Sequence, residues 1–424
     1  MMPRTCLFLA ALSLTSYAAD WPQYRGPAGD GSTPEKIATT WAGGPKVVWK
    51  TESTNGFSSF AVAGGRCFTL EGRDLDGVPQ EVLVARDANT GKELWTFGLG
   101  ARKYDGGGDS GANDNKGGDG PRTSPTIVGD TVVATNADLV VQCFDAAKGK
   151  QLWKRDLVGE NEGRNIQWKN AASPLFEGGL IYVAGGGAGQ SLLALDPKTG
   201  AVVAKGFDEK MTHATPVAGS ILGQRQIVFF LQSGLLAVEP KTLKELWRYP
   251  FDYRTSTAAS PVIAGDVVYC SAGYGVGAGA VKVTRNGNTW KATEIFRLRG
   301  DKPLANHWST PVVHNGHLYG MFQFKQYGDG PIKCVDLKDG SVKWEQPGFG
   351  PGQVVKVGEN VLALSDAGEL VLFAAKPTGY SEIARAKVLE GKCWTTPVVA
   401  GGRVYLRSTK QAACVDLRSA LAAR

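Results

Sequence analysis

Hydrophobic positions along the chain fall into many short apolar runs separated by turns that contain glycine. One sequence motif recurs along the chain. It begins with a small residue, Ser or Thr, Pro and two apolar residues, and continues with a Gly turn and an apolar strand. A second strand that ends in Asp follows, and then a TG turn that often precedes Trp. Four short strands per copy are typical of β-propeller blades. A lone blade of this kind cannot bury both faces, so we expect neighbouring blades to stack around a central axis.

The spacing of the prolines in this motif gives the number of copies. They are Pro125, Pro174, Pro216, Pro261, Pro311 and Pro397. Successive spacings are 49, 42, 45, 50 and 86 residues, so the last interval holds two copies. A degenerate copy from Gly352 fills that interval, and another from Ser59 opens the series with Phe60 in the proline position. The sequence therefore predicts an all-β, eight-bladed β-propeller with four-stranded antiparallel blades.

The two ends of the chain predict how the ring closes. The last copy stops without its fourth strand, whereas the segment PKVVWKTES contains an unassigned strand with Trp49. We expect this N-terminal strand to complete the last blade beside Cys414 to Leu417, which removes an open sheet edge. Residues 19–424 are then a single domain.

The first residues, MMPRTCLFLAALSLTSYAAD, have one arginine, an apolar stretch and then small residues. This pattern predicts a signal peptide over residues 1–18, cleaved near Ala18. The apolar stretch is too short to span a membrane, and no later segment approaches eighteen continuous apolar residues. We expect an exported protein, periplasmic or extracellular, with no membrane span and, given the early position of Cys6, no lipid anchor.

Charge and composition exclude one class of partner. The net charge of +7 comes from basic residues that are scattered rather than gathered into a run. That distribution argues against a nucleic-acid surface. Glycine, with 56 copies, fits a chain with many tight turns, and we expect a monomer.

Several strands end in a shared motif. DANTGKELW, DAAKGKQLW, EPKTLKELW and DLKDGSVKW resemble the tryptophan-docking motif of PQQ-repeat propellers, the family of the quinoprotein dehydrogenases, and the resemblance covers nearly all of the mature chain. It implies that each indole packs between adjacent blades while its N–H binds a backbone acceptor. Ala204 and Phe296 replace Trp in copies three and five, where we expect different docking. The structural tryptophans are Trp49, Trp95, Trp153, Trp247 and Trp344.

The opening WPQYRGP, from Trp21 to Pro27, resembles the start of a group of exported bacterial PQQ-repeat proteins. Outer-membrane assembly factors share the eight-bladed architecture with this family but are typically lipid-anchored. The chain has no cysteine in the position of a lipidated one, which sets it apart from them.

In a propeller of this family, the segment before each innermost strand lies at one mouth of the central funnel. In the first copy, this segment contains Asn55 and Phe57. Basic and aromatic side chains of this kind hold planar anions by charge-assisted hydrogen bonds and stacking. The alternative is that a funnel lined by turns simply collects polar residues and aromatic plugs. The funnel candidates are Arg122, Trp168, Lys169, His213, Arg254, His307, Trp308, Lys392 and Trp394.

The resemblance also implies what a working quinoprotein dehydrogenase needs: PQQ, a divalent metal such as calcium held by carboxylate and amide oxygens, an Asp base and often two adjacent cysteines. The chain has no adjacent cysteines. The funnel segments place no carboxylate at an obvious ligand position, although Asp252, Asp301 and Asn306 are close. We therefore assign no catalytic residue and no metal ligand, and PQQ with calcium stays an alternative cofactor.

Two further features have simple interpretations. The Gly- and Asp-rich insertion at 102–122 is either a calcium loop or a solvated loop, and its spacing does not match an EF-hand. Cys143, Cys334 and Cys414 occupy one repeat position that is alanine in other copies, which predicts small buried core residues rather than disulfides. Cys393, on a funnel loop, is the candidate for an accessible thiol.

These features favour a noncatalytic exported propeller that binds a protein, glycan or envelope component. One alternative is a PQQ-dependent alcohol or sugar dehydrogenase. Another is an assembly factor for outer-membrane proteins, which would receive strands at exposed sheet edges.

Overall fold

Eight four-stranded antiparallel sheets form the blades of a ring, as the sequence predicts. The structure is a computed structural model that describes residues 20–41, 43–101, 120–251, 257–301, 304–322 and 330–418. The predicted signal peptide and residues 102–119 of the insertion lie outside these residues. In the part described, α1 (Leu157–Glu160) is the one α-helix, and no helix is long and apolar enough to cross a membrane.

Two strands precede the blades, and the blades then follow in chain order. The preceding strands are β1 (Ser32–Thr33) and β2 (Lys46–Glu52). Blade one contains β3 (Ala61–Ala63), β4 (Arg66–Leu75), β5 (Val78–Asp87) and β6 (Glu93–Ala101). Blade two contains β7 (Thr126–Val128), β8 (Thr131–Thr135), β9 (Val140–Asp145) and β10 (Gln151–Asp156). Blade three contains β11 (Leu175–Glu177), β12 (Leu180–Ala184), β13 (Leu192–Leu195) and β14 (Val202–Gly206). Blade four contains β15 (Val217–Ile221), β16 (Gln224–Leu231), β17 (Gly234–Val238) and β18 (Glu245–Pro250).

The second half of the ring repeats this arrangement. Blade five contains β19 (Val262–Ala264), β20 (Val267–Ala272), β21 (Gly277–Asn286) and β22 (Thr289–Leu298). Blade six contains β23 (Val312–His314), β24 (His317–Met321), β25 (Ile332–Asp336) and β26 (Val342–Gln346). Blade seven contains β27 (Gln353–Val357), β28 (Asn360–Leu364), β29 (Glu369–Ala374) and β30 (Glu382–Lys387). Blade eight contains β31 (Val398–Ala400), β32 (Arg403–Arg407) and β33 (Gln411–Asp416), and β2 is its outer strand.

The ring closes in blade eight, where the first part of the chain meets the last. Strand β2 pairs antiparallel with β33, and Trp49 lies opposite Cys414. The predicted closure by the N-terminal strand is confirmed. A buried ionic cluster reinforces the junction with blade one, because the Arg407 guanidinium donates to the Ser53 hydroxyl and to three backbone carbonyls of 54–58. The side chain of Glu71 accepts from the same serine.

The hydrophobic core lies between blades rather than within them. One cluster, for example, packs Leu70 and Leu83 of blade one against Val132 and Phe144 of blade two. A blade has two apolar faces and each needs a neighbour, so stability depends on the complete ring.

Four tryptophans on outer strands pack across the blade junctions. The indole N–H of Trp49 donates to the Ala88 carbonyl of the next blade at 3.0 Å. The indole of Trp95 packs on the Lys148–Gly149 turn of blade two so closely that a Cβ on Gly149 would lie 2.6 Å from it. Glycine in the turn is therefore required by the docked indole. The other indole N–H bonds to the next blade join Trp95 to Ala146, Trp153 to Pro197 and Trp344 to Lys376.

Blade five changes the docking on both of its sides. Its third and fourth strands form a long hairpin instead of ending at a TG turn, so Trp247 has no such turn to meet and donates to Gln226 of its own blade at 2.8 Å. The expected backbone acceptor is wrong for this residue. Phe296 nevertheless packs on the turn of blade six, where a Cβ on Gly340 would lie 2.9 Å from its ring.

The segment Trp21–Thr33, here called the N-terminal plug, binds the innermost strands of several blades. Trp21 exchanges two backbone hydrogen bonds of 2.8 Å with Val62 of blade one. The Pro22 carbonyl accepts from Ile127 of blade two. Strand β1 then pairs in parallel with β27, which gives blade seven a fifth strand. The plug thus ties together blades that are far apart in sequence.

Candidate functional site

The loops that precede the innermost strands converge on a cavity of about 370 Å³ at one end of the ring. This volume lies within the range of small-molecule sites. Six of the predicted funnel residues line the cavity wall. They are Arg122, Trp168, His213, His307, Trp308 and Trp394.

The remaining three candidates have different positions. Lys169 is next to the wall, where its carbonyl accepts from His213 and its ammonium group pairs with Asp138 at 2.9 Å. Lys392 is buried beside the cavity rather than in its wall. Arg254 lies outside the described residues. Ligand binding by this set stays a prediction.

Six rings form a continuous row along the cavity, here called the aromatic belt. Each ring centroid lies between 4.8 and 6.2 Å from the next. Such a row presents flat apolar faces on which planar groups stack. In order, the belt consists of Phe57, Trp394, Trp308, His307, Tyr274 and Trp168.

Two basic side chains adjoin the belt. Arg122 lies in the cavity wall, and its Nη1 donates to the Trp168 carbonyl at 2.7 Å. The Lys392 ammonium lies 4.5 Å from the ring centroid of Trp394 and 5.8 Å from that of Phe57. Positive charge close to stacked rings favours a planar ligand that carries negative charge.

His213 contributes hydrogen bonding rather than charge. Its Nε2 lies 2.7 Å from the Lys169 carbonyl, which can only accept. Burial, with the neighbouring charge of Arg122 and the His307 ring, lowers the pKa of His213 to about 3. The imidazole is therefore neutral near pH 7, and the cavity is less basic than its residue types imply.

Three residues at or beside the cavity have a left-handed backbone conformation. Trp168 and Lys169 both have φ of 66°, and Tyr274 has φ of 59°. Left-handed conformations are unfavourable for bulky residues and are found where the surroundings fix them, often at ligand sites. Here they set the rings of Trp168 and Tyr274 nearly parallel, at 14°.

Beneath the belt, the residue that precedes each repeat proline forms an inner Ser/Thr ring. The backbone N–H of one such residue donates to the hydroxyl of its counterpart in the next blade, as Ser59 does to Ser124 at 2.9 Å. The recurring Ser or Thr was visible in the sequence, but its role in joining blades was not. The other bonds run from Thr396 to Ser59, Ser124 to Ser173, Ser173 to Thr215 and Ser260 to Thr310.

Blade seven breaks this ring because it has Gln353 in place of Ser or Thr. The Gln353 amide nitrogen donates to the carbonyls of Trp308 and Trp394, at 2.9 and 3.3 Å. Within the described residues, the Gln353 Oε1, the Trp394 Nε1 and the Thr396 Oγ1 are buried without a hydrogen-bond partner. All three residues line the cavity, but these three atoms are themselves buried in its wall.

The described residues fit a planar anion better than a metal-bound quinone. No lining residue in the described part is a carboxylate, and no group of three His, Cys, Asp or Glu there could hold a metal. Asn306 is occupied, because its amide donates to the Met321 carbonyl and accepts from the Tyr269 hydroxyl. Asp301 accepts from the backbone of Gly275, and Asp252 lies outside the described residues. Calcium prefers several oxygen anions, so we derive no step through calcium and PQQ.

All six cysteines of the described chain are unpaired and buried. The predicted core positions of Cys143, Cys334 and Cys414 are each fully enclosed. The expectation for Cys393 is wrong, because it is also fully buried and burial raises the pKa of its thiol to about 12. A funnel-loop position did not expose it, since the side chain points into the core cluster of blades seven and eight.

Comparison with known proteins places the chain in a family. A PQQ-repeat family model described as outer membrane protein assembly factor BamB matches residues 79–346, more than half of the chain. The chain belongs to this family. No protein in a curated set matches it in sequence.

Solved structures of two kinds of PQQ-repeat propeller resemble the fold. BamB from Moraxella catarrhalis is 13% identical, with a TM-score of 0.59 over 88% of this chain and 99% of that one. Quinohemoprotein alcohol dehydrogenase from Comamonas testosteroni is 14% identical, with a TM-score of 0.63 over 95% and 81%. The corresponding enzyme ADHIIG from Pseudomonas putida HK5 is 12% identical, with a TM-score of 0.61 over 94% and 80%. At these identities the likeness concerns the fold alone.

Proposed function

We propose that this PQQ-repeat propeller is an exported, noncatalytic binding module whose funnel cavity holds a small planar anion, either free or as part of an envelope component. The aromatic belt with Arg122 and Lys392 beside it carries the proposal. Stacking on the belt and charge-assisted bonds from the cations would act together on one ligand.

A titration with PQQ tests this proposal, because PQQ is a planar tricarboxylate. The purified protein would be titrated with and without calcium, with tryptophan fluorescence as the signal, and dye reduction would be followed with simple alcohols and sugars. We expect saturable binding that a chelator does not abolish, with no turnover. Calcium-dependent binding accompanied by dye reduction would instead support the dehydrogenase alternative.

A matched pair of variants locates the binding site. Arg122→Gln removes a cation from the cavity wall and should weaken PQQ binding by roughly ten- to a hundredfold, the value of one charge-assisted hydrogen bond. Arg385→Gln removes a cation from β30 on the outside of blade seven and should leave affinity unchanged. Equal affinity in both variants would place binding elsewhere.

A partner screen tests the binding role in the envelope. The family model carries the name of an assembly factor, so a protein partner is one candidate. Crosslinking in intact cells should recover the same envelope component repeatedly, and recovery should fall when the cavity carries Arg122→Gln. A drop in outer-membrane protein levels on gene deletion would favour the assembly-factor alternative.

A further inference from the structure

The WPQYRGP segment is the sequence motif that the proposed function leaves unexplained. We infer that the N-terminal plug forms the floor of the funnel cavity, and that Tyr24 sets the length of ligand the cavity accepts. This inference rests on the proposed function, since it concerns the same cavity.

The hydrogen bonds of the plug place it across the ring, opposite the funnel mouth. Each innermost strand runs away from the funnel loops, and Trp21 and Pro22 bind strands β3 and β7 there. Gln23 accepts from the backbone of Phe176 in β11 at 3.0 Å. The Arg25 guanidinium reaches the other side of the ring, where it donates to the carbonyls of residues 310 and 311 at 3.0 Å each. The chain therefore crosses the base of the channel.

Tyr24 lies between these anchors and lines the cavity together with residues of the funnel loops. It is the only lining residue that comes from outside the blades and their connecting loops, within the part of the chain described. Its immediate neighbours, Gln23 and Arg25, are bonded to opposite sides of the ring. The backbone at Tyr24 is thus held from both directions.

Close packing makes this floor rigid. Trp21 is 1% exposed and Arg25 is 2% exposed. A Cβ on Gly26 would lie 3.1 Å from the Trp21 indole, and one on Gly31 would lie 2.5 Å from the Arg25 guanidinium. Both glycines have positive φ, of 86° and 75°, so the plug needs them for its path as well as for space.

A closed floor defines the class of ligand. The cavity of about 370 Å³ can be filled from the mouth only, so it suits a compact ring compound or the end group of a longer molecule. A polymer that threads the channel does not fit. Tyr24, at the bottom, contacts the end of the ligand farthest from solvent.

Planar dicarboxylates of graded length test the inference. The probes are isophthalate, naphthalenedicarboxylate and biphenyldicarboxylate, titrated against the full protein by tryptophan fluorescence. Tyr24→Ala deepens the cavity and should raise the affinity for biphenyldicarboxylate relative to isophthalate at least about tenfold. Tyr24→Trp shortens the cavity and should change that ratio in the opposite direction.

Controls separate the inference from the proposed function. Ala28→Ser lies on an exposed part of the plug and should leave all three affinities as in wild type. If wild type binds no probe, the proposed function fails. If wild type binds but neither Tyr24 variant changes the length preference, the inference is overturned. Should Tyr24→Ala not fold, as judged by thermal unfolding, Tyr24→Trp alone decides between these results.

Discussion

The two sides of the inner ring are built differently. From blade eight through blade four, four consecutive hydrogen bonds of the Ser/Thr ring join neighbouring blades. From blade five to blade seven only one such bond is present among the described residues, between Ser260 and Thr310. The hydroxyls of Ser260 and Thr396 and the Gln353 Oε1, which flank the interruptions, are buried without partners there.

The irregular side is also the side on which most of the aromatic belt lies. Tyr274 comes from blade five, His307 and Trp308 from the loop into blade six, and Trp394 from the loop that leaves blade seven. On the regular side the hydroxyls of the Ser/Thr ring join neighbouring blades, whereas at the interruptions on the irregular side polar atoms are buried without a partner among the described residues. A repeat that departs from its own pattern at one place commonly does so for function.

The largest expected effect concerns the junction between blades eight and one, on the regular side. Arg407→Ala removes the donor to three carbonyls and the Ser53 hydroxyl, and leaves the buried Glu71 with less compensating charge. We expect a loss of about 3–5 kcal/mol in the free energy of unfolding, measured by denaturant titration. The exposed Arg385→Ala serves as control, with an expected loss of about 0–1 kcal/mol. Similar values for both would show that the closure does not depend on the ionic cluster.

The next effect depends on pH and concerns His213 on the regular side. Its folded pKa of about 3 lies below its ordinary value of 6.5, so acid favours the unfolded chain. The stability that the neutral imidazole supplies is complete above pH 6.5 and is lost as the pH falls toward 3. The stability advantage of wild type over His213→Gln should therefore shrink by about 2–3 kcal/mol between pH 7 and pH 4.5. An advantage that is constant over this range would contradict the pKa assignment.

A pair of serine substitutions tests the comparison directly. Ser124→Ala deprives the buried Ser59 N–H of its acceptor and should cost about 1–3 kcal/mol of unfolding free energy. Ser260→Ala removes a hydroxyl that has no partner among the described residues and should change stability by less than about 0.5 kcal/mol. Thermal unfolding of the two variants under one condition is sufficient. Equal losses would mean that the two sides are held alike.

The blade architecture was predictable from the sequence because each copy repeats its own turns and apolar positions. Even the degenerate copy at Gly352 could be placed by the spacing of its neighbours. The effect of the long hairpin in blade five could not be predicted, because nothing in the sequence around Trp247 shows that the next blade lacks the TG turn. The path of the plug was equally hidden, because most of its bonds are to backbone groups of distant blades.

The candidate site was predictable only as far as it follows the repeat. Residues before each innermost strand were found by position, and seven of them, Phe57 included, line the cavity. Tyr24, Tyr274 and Gln353 were missed because they lie outside that position or replace its usual residue. Gln353 left a signal, a glutamine where other copies have Ser or Thr, whereas Tyr274 lies in a glycine-rich loop that indicates only a turn.

The closure in blade eight also governs the order in which the chain can fold. Strand β2 is among the first strands described, yet its partner β33 is the last of them, so their pairing brings together residues 46–52 and 411–416. Contacts of such long sequence separation carry the largest loop entropy and form slowly. Blades one to seven can each fold from local hairpins, but the outer edge of blade eight has to wait for a strand from the opposite end of the chain.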